Sequence, residues 1–233
     1  MKKTCMVVLG GAIKDMALFR QRLNEADQLF IADSGARHLL NLGIMPQQVY
    51  GDLDSLTAAE IKHLEEGGCR FRRVAAEKND TDSSLVLKEA LEQGYEDIRV
   101  WGALGGRPDH SYANIMLLQL VFEPEFHQRY GGLETARPAV ILEDGDVRIF
   151  LPQRGQWIDG EKGDYLSFFA LTPEVTGFKN IGLKYQPQGG RYVSTFPLGI
   201  SNELMADKAW ISWDEGRLLA MWIRRGENND ELY

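Results

Sequence analysis

This sequence predicts an α/β fold: an N-terminal open parallel sheet with helices on both faces, followed by a C-terminal antiparallel β-sandwich. Three observations predict it. From residue 4 to about 120, apolar runs of strand length alternate with amphipathic helical patterns. Beyond Tyr130-Gly131-Gly132 the helical period gives way to short alternating runs punctuated by Gly, Pro and Asp. Several early strands also run straight into acidic or glycine-rich loops, as strand-to-helix turns at one sheet edge do. The expected domains are residues 1–130 and 131–233.

In order along the chain, strands are expected over 5–9, 28–32, 47–50, 70–74 and 97–101, with helices over 13–23, 35–42, 58–66, 82–93 and 108–121. Thr57 and Glu60 have the spacing of a capping box ahead of Ile61 and Leu64. Asp80 or Thr81 can cap the helix whose Leu85, Val86, Ala90 and Leu91 face the sheet. Pro108 suits a first helical turn. In the second half, strands are expected over 139–143, 147–151, 156–158, 165–171, 192–195, 208–213 and 218–223, and Glu143-Asp144-Gly145-Asp146 reads as a hairpin turn.

The chain has 233 residues, 44% of them apolar, so it can bury one large core or two modest ones. Lys and Arg number 26 against 34 for Asp and Glu, a net charge of −8, which disfavours a nucleic-acid-binding surface. The apolar runs are too short for a membrane span. Residues 2–10 pair two lysines with an apolar run, yet Gly10-Gly11 ends it without a small-residue cleavage pattern, so it reads as a buried strand. Cys5 and Cys69 form no CxxC pair and the histidines show no metal spacing, which points to a reduced, cytoplasmic setting.

Four loops carry the chemistry: Asp33-Ser34-Gly35, Gly51-Asp52-Leu53-Asp54-Ser55, Asn79-Asp80-Thr81-Asp82 and Gly105-Gly106-Arg107-Pro108-Asp109. Right-handed crossovers bring every strand-to-helix loop of a parallel sheet to one edge, so these distant carboxylates converge. Clustered carboxylates repel and call for a cation, and Mg²⁺ favours a few carboxylates together with phosphate oxygens. Asp52 and Asp54 are the prime metal ligands, with Asp82 and Asp109 on the same edge. Thr81 and the free N–H groups of its helix suit a phosphate oxygen. Arg107 is a bidentate anion donor beside flexible glycines. Lys78 is either a phosphate contact or a surface residue. The chain contains no GxxxxGK[ST] loop, and no GxGxxG follows the first strand. Gly199-Ile200-Ser201-Asn202 is a polar turn able to present hydroxyl and amide groups to a heterocycle.

Taken in order, 32–36, 51–55, 79–82 and 102–110, with the later Gly182-Leu183-Lys184-Tyr185 and Gly199-Ile200-Ser201-Asn202, closely resemble the motif series of the thiamine pyrophosphokinases. The resemblance implies Mg²⁺-dependent transfer of diphosphate from ATP to thiamine with release of AMP. It also implies a homodimer with sites at the subunit interface. Carried over by position, Asp33, Asp52, Asp54, Asp82 and Asp109 are the acidic site residues. Asp52, Asp54 and Asp82 hold the metal, and Asp52, Asp54, Asp82 and Asp109 serve catalysis. Asp33, Asp80, Thr81, Arg107 and Lys78 face ATP, while Ser201 and Asn202 contact the thiamine pyrimidine. Ser34 stands where the family pattern equally accepts glycine.

Three other readings compete. Diphosphate transfer to another hydroxymethylated heterocycle, such as a pterin, is separated by what the β-domain binds. A phosphatase with Asp52 as covalent nucleophile expects an unbroken apolar strand before the Asp, and Gly51 interrupts it. A non-catalytic sensor leaves the crowded carboxylates without a use.

Overall fold

The computed structural model describes residues 2–72, 81–131 and 137–226. The chain divides into two compact units, Met1–Gly145 and Asp146–Tyr233.

The first unit alternates strand and helix: β1 (Thr4–Val8), α1 (Met16–Glu25), β2 (Gln28–Ile31), α2 (Ala36–Asn41), β3 (Gln48–Tyr50), α3 (Ala58–Glu66), β4 (Arg70–Arg72), α4 (Asp82–Glu92), β5 (Asp97–Trp101), α5 (Pro108–Leu117), α6 (Pro124–Arg129) and β6 (Ala139–Asp144). Strands β2, β1, β5 and β6 lie side by side, all parallel. β3 pairs in parallel with β4, and a parallel bridge from Ala32 to Tyr50 joins that pair to the end of β2. The spatial order is therefore β4-β3-β2-β1-β5-β6. The chain winds outward from β1 on one side and then returns to β5 on the other. A crevice opens where such a sheet changes direction, between the carboxyl ends of β1 and β5.

Strand periodicity sorts the core into two faces. Met6 and Val8 of β1, Ile31 of β2 and Trp101 of β5 pack with Phe19 and Leu23 of α1, Leu39 of α2 and Leu64 of α3. Cys5, Val7, Phe30, Ile98 and Val100 are buried on the opposite face, where α4 lies against β1 and β2. Helices thus cover both faces, as the patterning implies.

Helix starts follow local chemistry. Asp15 caps α1 by accepting from the Leu18 N–H at 2.9 Å, so the helix begins at Met16 and leaves Ile13 in the preceding loop. Thr57 and Glu60 form the expected capping box at α3. The α4 cap is Thr81, whose hydroxyl accepts from the Ser84 N–H at 3.2 Å, and Asp82 is the first helical residue. α5 stops at Leu117 and tightens into a 3₁₀ turn over Leu118–Phe122.

Short strands at Glu174–Val175 and Lys179–Ile181 and helix α6 were not expected, and one expected strand has a different neighbour. β6, expected among the C-terminal antiparallel strands, instead pairs in parallel with β5, Asp97 opposite Ala139. β6 therefore lies in the first compact unit, which ends at Gly145, and α6 precedes residue 130. A strand's own pattern reveals that it is half buried, not which neighbour it joins.

The second unit is antiparallel. It contains β7 (Val147–Phe150), β8 (Gln156–Asp159), β9 (Tyr165–Ala170), β10 (Glu174–Val175), β11 (Lys179–Ile181), β12 (Tyr192–Val193), β13 (Lys208–Ser212) and β14 (Leu218–Ile223). One sheet has the order β7-β14-β9, a second β11-β13-β8, and β10 pairs with β12. Phe168 of β9 packs against Phe178 and Tyr192 with ring centroids 5.1 and 6.2 Å away, an aromatic knot at the centre of this unit.

Candidate active site

An open cleft of about 630 Å³ lies over the carboxyl ends of the first unit's strands. Gly10, Gly11 and Ala12 after β1 line it, with Gly102, Ala103 and Gly105 after β5. Backbone meets backbone there: the Gly11 N–H donates to the Gly102 carbonyl at 3.0 Å, and a Cβ on Gly11 would collide with the carbonyl oxygens of Gly102 and Gly105. Asp33, Asp52, Asp54, Thr81 and Asp82 come to the same cleft from the β2, β3 and α4 loops.

Among the described residues Asp33, Asp52 and Asp54 form a tight group, one carboxylate oxygen from each lying within 4.8 Å of the other two. Two such charges at that separation repel by roughly 3 kcal/mol at an effective dielectric near 20. Asp33 is buried, and its Oδ2 accepts from the Ser55 hydroxyl at 3.2 Å, while its Oδ1 is buried with no partner. Burial pushes the Asp33 carboxyl above the usual carboxylate range, and the charges of Asp52 and Asp54 push it further. Asp82 is raised for the same reasons, burial first and then Asp33, Asp52 and Asp54. An all-oxygen donor set, a surplus of negative charge and an unsatisfied buried carboxylate oxygen are the chemistry of a hard divalent cation site.

The loop that carries two of these carboxylates has a fixed shape. Leu53 is buried and holds φ +71°, a left-handed conformation that costs a leucine roughly 1–2 kcal/mol. Its side chain joins the helix-covered core, which leaves Asp52 and Asp54 facing water on either side. The Asp54 N–H closes the turn on Asp52 Oδ1 at 3.1 Å. From α2, Arg37 donates to the Ser55 carbonyl at 2.6 Å and forks onto Glu60 at 2.6 and 3.0 Å. Arg37 first, then the Thr57 N–H, lower the Glu60 carboxyl to about 2.

Arg107 and His110 line the cleft at the start of α5. The guanidinium of Arg107 is bound bidentately to Asp109, at 3.1 and 2.6 Å, and both side chains are well exposed. That pairing holds the Asp109 carboxyl down to about 2. Asp109 thus enters the structure as Arg107's partner, and Asp33 joins Asp52 and Asp54 more closely than Asp82 does. Lys78 and Asp80 lie outside the described residues.

In the second unit, the Ser201-Asn202 turn is an anchor for an aromatic ring. Ser201 is exposed at φ +54°, its N–H donating to the Ser167 hydroxyl at 3.0 Å. Asn202 is buried. Its Oδ1 accepts from the N–H groups of Tyr185 and Glu203 at 2.9 and 3.0 Å, and its Nδ2 donates to the Tyr185 carbonyl at 2.8 Å. The Tyr185 ring itself is 55% exposed, with Lys184 Nζ 5.3 Å from its centroid.

Sequence reasoning passed over Arg37 and His38, and it placed Tyr185 in a motif without giving it a task of its own. Each works through a side-chain-to-backbone hydrogen bond, which leaves no periodic or spacing signature. For Arg37 a weak signal existed, since the capping-box Glu60 needs a cationic neighbour if it is to carry more than the cap.

Comparison with known proteins gives one consistent result. Residues 19–127 match the family described as thiamin pyrophosphokinase, catalytic domain, and residues 148–218 match thiamin pyrophosphokinase, vitamin B1 binding domain. The chain is 30% identical over 219 residues to thiamine pyrophosphokinase of Bacillus subtilis strain 168, spanning 93% of this chain and 97% of that protein. Among solved structures, the Bacillus subtilis thiamine pyrophosphokinase superposes with a TM-score of 0.79 at 27% identity, covering 96% of this chain and 100% of that one. The Geobacillus thermodenitrificans thiamin pyrophosphokinase superposes at 0.76 and 25% identity, covering 96% and 99%.

Proposed function

This chain belongs to the thiamine pyrophosphokinase family, and from that premise we propose that its first-unit cleft binds ATP and a divalent cation for diphosphate transfer to thiamine. As a member of that family it is an enzyme that transfers diphosphate from ATP to thiamine, giving thiamine diphosphate and AMP. The oxygen of the thiamine hydroxyl forms a bond to the β-phosphorus of ATP. The bond from that phosphorus to the oxygen bridging it to the α-phosphate breaks, AMP leaves, and the hydroxyl proton passes to solvent. Such a displacement depends on positioning and charge neutralisation more than on a strong nucleophile.

The observation that carries the reading is the convergence of Asp33, Asp52 and Asp54 within 4.8 Å, with a buried Asp33 oxygen left unpartnered. Asp52 and Asp54, with Asp33 or Asp82, would hold Mg²⁺, which neutralises charge on the phosphates when bound. Thr81 offers its hydroxyl and the α4 N-terminus to a phosphate oxygen. Arg107 reaches the phosphates by exchanging Asp109 for them, so Asp109 keeps the guanidinium in place until ATP arrives. Lys78 and Asp80 belong to the same segment as Thr81 and serve the nucleotide as well.

Thiamine is assigned to the second unit. Ser201 meets the pyrimidine, and Asn202 acts by fixing Tyr185, whose exposed face suits a cationic ring at about 0.5–2 kcal/mol. Exposed Leu198, Ile200 and Met205 near that turn in sequence favour a homodimer with sites at the subunit interface. Two buried free thiols accord with a cytoplasmic setting, and no described helix is long and apolar enough to cross a membrane. The deciding assay is AMP and thiamine diphosphate formation from ATP, thiamine and Mg²⁺. Equal amounts of both products are expected, and ATP consumed without thiamine diphosphate would overturn the reading.

A further inference from the structure

We infer that His38 is a positioning residue for the nucleotide, acting through the backbone of Gly11; the inference rests on the reading of the cleft as the ATP site. His38 sits on α2, half-buried, and does not border the cleft itself. Its Nε2 lies 2.9 Å from the carbonyl oxygen of Gly11. A carbonyl can only accept, so Nε2 carries the proton in this contact. The ring edge meets Phe19 with centroids 6.2 Å apart at 70°, which fixes the imidazole plane from the core side.

The Gly11 peptide is held from both directions. Its N–H is bound to the Gly102 carbonyl, and there is no room beside its Cα for a side chain against the carbonyls of Gly102 and Gly105. Its carbonyl oxygen, which also packs beside Gly102, accepts from His38. The Gly10-Gly11-Ala12 turn is therefore a wall of bare backbone, pressed on one side by the β5-to-α5 loop and tied on the other to α2. The same helix carries Arg37, which holds the Asp52-Asp54 loop through Ser55. α2 thus spans the distance between the glycine wall and the acidic loop, and His38 is its tie to the wall. Without that donor, the Gly11 carbonyl must rotate to find another partner, and the glycine turn that a nucleotide lies against loses its fixed orientation.

The test measures dissociation constants of a non-hydrolysable ATP analogue with Mg²⁺ by calorimetry for the unaltered protein, His38→Ala and His38→Gln. KM values for ATP and thiamine are taken in parallel. Glutamine keeps an amide donor near the Nε2 position. His38→Ala should weaken the analogue about three- to ten-fold, the range for one lost hydrogen bond. His38→Gln should recover to within about two-fold, and the KM for thiamine should stay unchanged. If alanine at this position prevents folding, His38→Phe retains the packing on Phe19 and removes only the donor. Analogue affinity unaltered in His38→Ala or His38→Phe, or no recovery in His38→Gln, overturns the inference, as does an equal rise in both KM values. Absence of AMP formation by the unaltered protein would instead overturn the functional reading, while the comparison of dissociation constants still decides the role of His38.

Discussion

The carboxyl group of Asp33 stands where a side chain on Gly51 would have to be: a Cβ there would lie 3.0 Å from its carboxyl carbon and 3.1 Å from Oδ1. Gly51 also holds φ +140°, a conformation L-residues avoid. The glycine before Asp52 is thus what lets the acidic group close up. Gly51→Ala should push Asp33 away from Asp52 and Asp54 and cut turnover at least ten-fold. The check is AMP formation across a Mg²⁺ titration, in which added metal should not restore the wild-type maximum.

Asp54→Asn removes one of three crowded charges. Without metal, relief of repulsion at the water-facing end of the dielectric range is about 1 kcal/mol, which for a chain of this size raises Tm by about 2–4 °C. Turnover should fall at least a hundred-fold in the same variant. Thermal melts in EDTA beside the product assay separate the two, and a variant less stable without metal would contradict the crowding argument.

Glu60 titrates in the fold at about 2, below its ordinary 4.5, because Arg37 and the Thr57 cap favour its charged form. A depressed acid stabilises the fold above the unfolded pKa, and that stabilisation is lost as pH falls through the folded one. Denaturant midpoints measured from pH 5 down to about 2 should therefore drop less steeply for Glu60→Gln than for the wild type. Identical slopes would mean that the Arg37 fork contributes nothing to the resting loop.

Asn202→Ala leaves the N–H groups of Tyr185 and Glu203 without their acceptor in a part-buried setting, while the Tyr185 carbonyl keeps the Asn180 amide at 3.1 Å. The expected loss is about 1–2 kcal/mol of stability. The KM for thiamine should rise while the KM for ATP holds. Tyr185→Leu should raise the thiamine KM with little loss of stability, and that contrast separates the anchor from the ring it anchors.

The alternation of strands and helices was legible because each element of the first unit shows its own period, and the acidic loops were legible because parallel topology forces them to one edge. Asp33, Asp52 and Asp54 converge for that reason. Its limit appears at β6, whose alternating pattern suits either a parallel or an antiparallel neighbour, and where only the pairing with β5 decides. Asp109 shows a second limit: its place at a helix start is readable, but its engagement with Arg107 two residues away depends on rotamers. For Asn202 the polar turn was legible and its bonds to the Tyr185 backbone were not, since an amide that serves a backbone and one that serves a ligand look alike in one dimension.

The order β4-β3-β2-β1-β5-β6 has a consequence for synthesis. The cleft straddles β1 and β5, where Cys5 is paired with Ile98, so its two walls are nearly a hundred residues apart on the ribosome. A growing chain that has already closed the β1-α1-β2 unit still presents only half a pocket. On the proposed reading of the cleft, the ability to hold nucleotide arrives in one late step, and ligand retention by a nascent chain would report that the entire first unit has assembled.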